Sequence, residues 1–242
     1  MKVYIPLLIG FASLNAQTTS LPKNSPISVL SSIKTIETVD LNELTTFDPR
    51  WVDSLSLSLP CYEVPVPKRT MRLPNAPRNY RNGIHRGLDF FANWGTPVRS
   101  VAEGIVVRSD LHYEEVPADF RENLLKATTK VGHTPSDIFN SVLLGKSVFL
   151  DHGFDLIPGF RTISIYAHLS HIEKEIVPGA IVKRGELLGK SGNTGMREST
   201  IGSKAGSHLH WEMILQKGEQ EIYLGKGMSN PELYDMLFRI FN

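Results

Sequence analysis

The chain has 242 residues, 41% hydrophobic and 21% charged, which suits one ordinary globular domain with extensions. Lys and Arg total 26 against 25 Asp and Glu, a balance that leaves no global charge for binding nucleic acid or an acidic membrane surface. Cys61 stands alone, which excludes an intramolecular disulfide, and it reads as a small hydrophobe.

Lys2 precedes an apolar run, Val3 to Leu14, followed by Ala16 and a polar stretch. A basic residue, a short apolar run and a small residue have the form of a secretory signal over residues 1–16, too short to span a bilayer. Residues 17–79 are expected to form a linker or extension, with Ser, Thr, Asn and Pro up to Ser32 and four prolines between Val64 and Asn79. Within it Leu55, Leu57 and Leu59 alternate with serines and predict a half-buried strand ending at Pro60.

Residues 80–228 are expected to form the main domain. Short strands punctuated by glycines predict a mainly β architecture, an antiparallel sheet or sandwich. Val98 to Arg108 reads as two strands joined at Glu103-Gly104, Ser147 to Asp151 and Thr162 to His168 as a hairpin pair, and 176–192 as very short strands with glycine corners. A helical insertion over about 112–145 interrupts them. Its first helix is expected at Pro117 to Lys130, and its second opens at Thr134 as cap, Pro135 as first helical residue, and ends at Gly145. Residues 229–242 are expected to hold a C-terminal helix, capped by Asn230, with Leu233, Leu237 and Phe241 on one face.

Three segments carry the chemistry. In Gly206-Ser-His-Leu-His-Trp-Glu-Met213, strand alternation places His208, His210 and Glu212 on one side and Leu209, Trp211, Met213 and Leu215 on the core side. His85 and Asp89, four apart with Gly87 between, are expected on a strand edge or loop; an imidazole and a carboxylate are a normal pair of zinc ligands. In Thr162 to His168, Ile163, Ile165 and Ala167 are expected to face the core, leaving Ser164, Tyr166 and His168 polar. Glu212 reads equally as an outer support for a histidine or as a solvated residue. His112, His133, His152 and His171 read as structural or exposed.

His-x-x-x-Asp, then Tyr-Ala-His-Leu-Ser, then His-Leu-His-x-Glu, interleaved with Gly-Thr-Pro-Val and Gly-Lys-Ser-Gly-Asn-Thr-Gly, resembles the M23 (lysostaphin-type) zinc metallopeptidases over about residues 80–215. The resemblance implies a compact antiparallel β core and an endopeptidase that cuts peptide bonds of bacterial peptidoglycan. It further implies one Zn2+ held by His85, Asp89 and His210, with His168 and His208 as the catalytic histidines beside it. Peptidoglycan peptides are then the partner, with no nucleic acid, no membrane span after signal removal, and a periplasmic or extracellular location. Against the simplest members, residues 112–145 and the Gly195–Gly206 loop are extended, and the insertion is expected to form a wall or lid over the groove and narrow its substrate range.

Two other readings compete. One is a non-catalytic cell-wall-binding or regulatory module on the same fold, expected to lack some of these five side chains, all of which are present. The other is a biotinyl- or lipoyl-type carrier, suggested by Val-Pro-Gly-x-x-Val-x-x-Gly-x-x-Leu-Gly, which has no use for five placed His and Asp residues.

Overall fold

The computed structural model describes residues 46–241; the expected signal, and the expected linker up to residue 45, lie outside them. The strands, in chain order, are β1 (Pro77–Arg78), β2 (Gly83–Ile84), β3 (Leu88–Phe90), β4 (Pro97–Arg99), β5 (Gly104–Ser109), β6 (Val148–Asp151), β7 (Arg161–Ala167), β8 (His171–Ile172), β9 (Ile181–Val182), β10 (Leu187–Lys190), β11 (Leu209–Lys217) and β12 (Gln220–Tyr223). Helices are α1 (Ala118–Val131), α2 (Ser136–Ile138), α3 (Arg197–Thr200) and α4 (Glu232–Ile240). The fold is mainly antiparallel β, as the strand and turn pattern predicts.

Seven strands form the main sheet, in the order β12-β11-β7-β6-β5-β9 with β3 paired to β11; β4, β10 and β8 form a smaller sheet. The β6–β7 hairpin matches expectation, whereas the two strands read across Glu103-Gly104 belong to different sheets. Leu55 and Leu57 are buried but build no strand: Leu57 makes one isolated parallel bridge to Phe241. Residues 46–76, irregular apart from short 3-10 turns at Pro49–Val52 and Thr70–Arg72, still belong to the core, because Phe47, Val52, Leu57, Cys61 and Leu73 are all buried in it. Helix α4 joins the same core, with Phe241 edge-on to Trp211 at 5.0 Å and to Phe90 at 5.5 Å between ring centroids. No helix among the described residues is long and apolar enough to cross a membrane.

Register decides which residues face the site, and here one expectation is reversed. β11 pairs β7 with His210 opposite Ala167, Trp211 opposite Tyr166 and Glu212 opposite Ile165. Cross-strand partners share a face, so Ile165 and Ala167 lie on the His210–Glu212 side, while Tyr166 joins Trp211 in the main core. The apolar–polar alternation misleads because this sheet is buried on both faces. The side bearing His210 is covered beyond it by Phe139, Leu143 and Leu144 from the insertion, packed on Ile165, Ala167 and Ile214.

The insertion forms where expected, with different ends. α1 starts at Ala118 and closes at Gly132 in a left-handed conformation (φ +88°). Thr134 does not cap the second helix; its hydroxyl donates to the Arg81 carbonyl, and α2 begins after Pro135 and passes into a π-helical turn, Phe139–Leu143. Asn230 likewise does not cap α4, since its side-chain amide turns to Thr70 Oγ1 at 3.3 Å.

Away from the site, His152 is structural, as expected. Its ring is buried between the Glu103 carbonyl, which accepts from Nδ1 at 2.6 Å, and Ser164 Oγ, 2.7 Å from Nε2. Burial lowers its pKa from the ordinary value, outweighing the Glu103 hydrogen bond and the Asp151 charge. Below about pH 6.5 the unfolded chain therefore binds a proton that the folded one resists, and folding stability falls with pH in that window. His152→Gln is expected to flatten the loss of denaturant midpoint between pH 7 and 5; a pH dependence parallel to that of the unaltered protein would contradict this.

Candidate metal centre

Strand β11 is the scaffold of the site. It pairs with β3 so that His210 lies directly opposite Asp89. His85 precedes β3, and Gly87 lets the chain between them press against β11: a Cβ on Gly87 would stand 2.3 Å from the Trp211 carbonyl oxygen and 2.9 Å from His210 Cε1. Any side chain there would push β3 away from β11.

The result is a convergence of His85 Nε2, Asp89 Oδ1 and His210 Nδ1. The His85–Asp89, His85–His210 and His210–Asp89 separations are 2.9, 3.0 and 3.0 Å. Among the described residues this is the one group of His, Cys, Asp or Glu whose ligand atoms cluster as a metal would need. Both rings are tied from behind. His85 Nδ1 donates to the Leu73 carbonyl at 2.9 Å, and His210 Nε2 faces Glu212 Oε2 at 3.4 Å. A neutral imidazole has one N–H. With those hydrogens spent outward on acceptors, three lone-pair atoms meet at about hydrogen-bond distance with no donor between them. Only a proton or a cation relieves that contact, and outward-tied histidines of this kind are the usual support of a metal site. His85, Asp89 and His210 therefore fit a divalent metal.

The charges agree. Burial pushes Asp89 up, but the surrounding imidazoles of His85, His208 and His210 outweigh it and hold the carboxyl well below its ordinary value. Burial dominates at His85 and lowers it. At His210 burial is outweighed by Asp89 and Glu212, which raise it, so His210 is where a proton competes with a cation. Glu212 is fully buried, not solvated. Burial pushes its carboxyl up, but His210 and the Arg86 guanidinium, 2.8 Å away at Oε1, keep it lowered. Arg78 holds the other oxygen of Asp89, Oδ2, at 2.9 Å, leaving Oδ1 for the centre.

His168 and His208 reach the same cavity by different means. In phase with β7, His168 would point with Tyr166 into the core; instead it leaves the strand at φ +61°, a left-handed conformation that turns its ring to the site. Its backbone N–H donates to Leu144 O at 2.9 Å and its Nδ1 to Thr194 O at 2.8 Å. His208 lies just before β11, bonded through its backbone N–H to Gly192 O and through Nδ1 to Gly206 O at 2.8 Å. Carbonyls only accept, so Nε2 is the basic nitrogen of both rings. The two ring centroids are 4.8 Å apart, and His208 Nε2 is 3.6 Å from Asp89 Oδ1. Burial, reinforced by His208 and His210, pulls His168 well below the ordinary histidine value.

All five predicted side chains thus line one cavity of about 220 Å³. Its insertion-side wall is Arg121, Phe139, Leu143 and Leu144, so the insertion does border the groove. The insertion closes on the loop that carries Thr194, with backbones touching at two glycines: a Cβ on Gly145 (φ +62°) would stand 2.3 Å from Thr194 O, and one on Gly195 2.6 Å from Gly145 N. Sequence reasoning overlooked Arg78, Arg81, Arg86 and Arg121, and the carbonyls of Leu73 and Thr194. Arg86 sits inside the His85–Asp89 motif and could have been noticed; a backbone carbonyl leaves no side-chain signal.

A mainly antiparallel β fold with a His–Asp–His cluster and two further imidazoles in one cleft defines the class, a β protein built around a metal-competent centre. More particularly, the chain resembles Peptidase family M23, whose family model matches residues 127–222, a span that holds His168, His208 and His210. An L-Ala–D-Glu endopeptidase of Bacillus subtilis is 26% identical over 142 residues, 57% of this chain. The chain spans about a third of the length of that relative, 32%. Among solved structures, an M23-type protein of Pseudomonas aeruginosa is 28% identical, covering 66% of this chain and 49% of its own, at a TM-score of 0.35. The catalytic domain of the antimicrobial peptidase lysostaphin from Staphylococcus simulans is 21% identical, covering 69% of this chain and 86% of its own, at a TM-score of 0.36.

Because Glu212 fixes the His210 ring and charge, Glu212→Gln is expected to weaken divalent-metal affinity by about 10- to 100-fold. Chelator competition reads this directly; unchanged affinity would leave Glu212 as no more than a counter-charge for Arg86.

Proposed function

We propose that the chain is an exported zinc endopeptidase that hydrolyses peptide bonds of bacterial peptidoglycan. The observation that carries this is the meeting of three outward-tied lone-pair ligands beside two imidazoles whose basic nitrogen is left free. His85, Asp89 and His210 would hold one Zn2+ per chain. Three protein ligands leave a coordination position open, as in catalytic rather than structural zinc sites. Zinc, when bound there, supplies Lewis acidity, which polarises a carbonyl and brings the pKa of a water to about 7.

The remaining work falls to this chain's residues. His168 and His208 each present a lone pair at Nε2, with the ring fixed by a carbonyl at Nδ1, and accept the proton of the attacking water. Burial keeps His168 neutral into the mildly acidic range, so it remains a base where an exposed histidine is half protonated. Once protonated, the same nitrogens become donors, able to return the proton to the leaving amine or to hold charge developing on the carbonyl oxygen. Arg78 holds and orients Asp89 through Oδ2, and Glu212 orients the His210 ring from the Nε2 side. Residues 80–228 form the catalytic unit in this reading, residues 1–16 direct export, and the site is periplasmic or extracellular. The relative from Bacillus subtilis makes L-Ala–D-Glu the first bond to test.

The histidines separate by role. His210→Ala is expected to lose both zinc and activity, while His208→Ala keeps zinc and loses turnover by at least about 100-fold. Zinc content by mass spectrometry and release of fragments from purified sacculi measure the two. If zinc-loaded unaltered protein is as inert on sacculi as His208→Ala, the non-catalytic wall-binding reading takes over.

Acidification adds a second test. Because Asp89 and Glu212 raise His210, protons displace the metal as pH falls, and activity is expected to decline below about pH 6 together with zinc affinity. A rate flat down to pH 5 would count against metal-dependent hydrolysis at this centre.

A further inference from the structure

Four arginines stand around the cavity and its supports, and they divide into two kinds. Arg78 and Arg86 each have a carboxylate, Asp89 Oδ2 at 2.9 Å and Glu212 Oε1 at 2.8 Å. Arg81 and Arg121 line the cavity itself and have none among the described residues. Arg81 donates from Nη2 to the Ile84 carbonyl at 2.5 Å and lies 4.7 Å over the Phe139 ring. Arg121 donates from Nε to the Gly195 carbonyl at 3.0 Å, which leaves both of its terminal nitrogens without a protein acceptor among the described residues. Glu115, on the same side, is spent on the Gly195 N–H and the Tyr113 hydroxyl, each at 2.9 Å.

Both arginines are buried, each residue only 7% exposed. A charge held out of water without a counter-ion is costly, and proteins accept that cost where a ligand supplies the opposite charge. Burial already pulls Arg81 below its ordinary value. The metal ligands add to the imbalance: among the described residues Asp89 is the one acidic side chain on the cavity wall, and a divalent cation at His85, Asp89 and His210, together with Arg78, would take up its charge. The cavity is thus cationic beyond what its own residues neutralise.

We propose that Arg81 and Arg121 are specificity-determining residues that receive a carboxylate carried by the substrate peptide beside the bond to be cut. The proposal rests on the peptidase reading above and names its substrate class as an anionic stem peptide. A guanidinium offers two parallel N–H groups that match a carboxylate and match a carboxamide poorly, so charge and shape are read together. Arg121 belongs to α1 of the insertion, and Arg81 is bound to the insertion through Thr134 and Phe139. The insertion therefore selects substrate by charge as well as by walling the groove.

The test uses two matched peptides containing the L-Ala–D-Glu linkage, one with the free D-Glu carboxylate and one with that group as carboxamide. Binding to zinc-loaded His208→Ala protein is measured by calorimetry. The carboxylate peptide is expected to bind about tenfold or more tightly than the carboxamide. Adding Arg121→Gln or Arg81→Gln should cut that ratio severalfold, and Arg121→Lys, which keeps the charge but not the fork, should retain part of it. A ratio near one in the starting protein, or a ratio that none of these substitutions changes, overturns the proposal. If sacculi are cleaved but the ratio is one, the peptidase reading stands without the carboxylate site. If sacculi resist the zinc-loaded unaltered protein while the ratio persists, the carboxylate site stands and the peptidase reading fails.

Discussion

The pairing of β3 with β11, in the register Leu209↔Phe90, His210↔Asp89 and Trp211↔Leu88, is the constraint on which the site depends. A slip of one residue would turn Asp89 or His210 to the opposite face and bury it against Trp211 and Leu88. The register is held from behind, where Leu88, Phe90, Leu209 and Trp211 are buried and Phe241 of the C-terminal segment packs on both aromatic rings. Hydrophobic burial on one face thus places three acceptor atoms together on the other. The repulsion among those acceptors is the cost that the core sustains and a cation relieves.

The second constraint is the insertion. An antiparallel sheet commonly exposes one face to water, and here that face carries Ile165, Ala167 and Ile214 where a polar surface is expected. Phe139, Leu143 and Leu144 cover them, and the same segment supplies the Leu144 carbonyl that holds the His168 backbone in its left-handed turn. The insertion is therefore part of the core and of the candidate metal cavity at once. Its removal would expose apolar surface and release His168, so deletion cannot separate an effect on the cavity from one on stability; single side chains such as Arg121 can.

Much of the site was legible because its chemistry resides in side chains at telling spacings. The His208–His210 pair, the His85–Asp89 pair with Gly87 between, and His168 after Tyr-Ala converge as expected. The faces of β7 were not legible, since period-two alternation reports polarity and both sides of this strand are buried. The caps at Thr134 and Asn230 failed for a related reason: each side chain found a tertiary partner, Arg81 O and Thr70 Oγ1, that outcompeted the local helix end.

The mainly β character, the helical insertion and the five side chains that meet at the centre were all readable from the residues in order. The fold follows from local period and turn residues, and the five side chains from the family resemblance their motifs carry. How each imbalance of charge is met is set by tertiary contact: Glu212 buried behind His210, Arg78 on Asp89, Arg86 on Glu212, and Arg81 and Arg121 facing the cavity with no carboxylate partner among the described residues. Such partnerships join residues up to 126 positions apart, as between Arg86 and Glu212. They depend on register and burial, which no local pattern encodes.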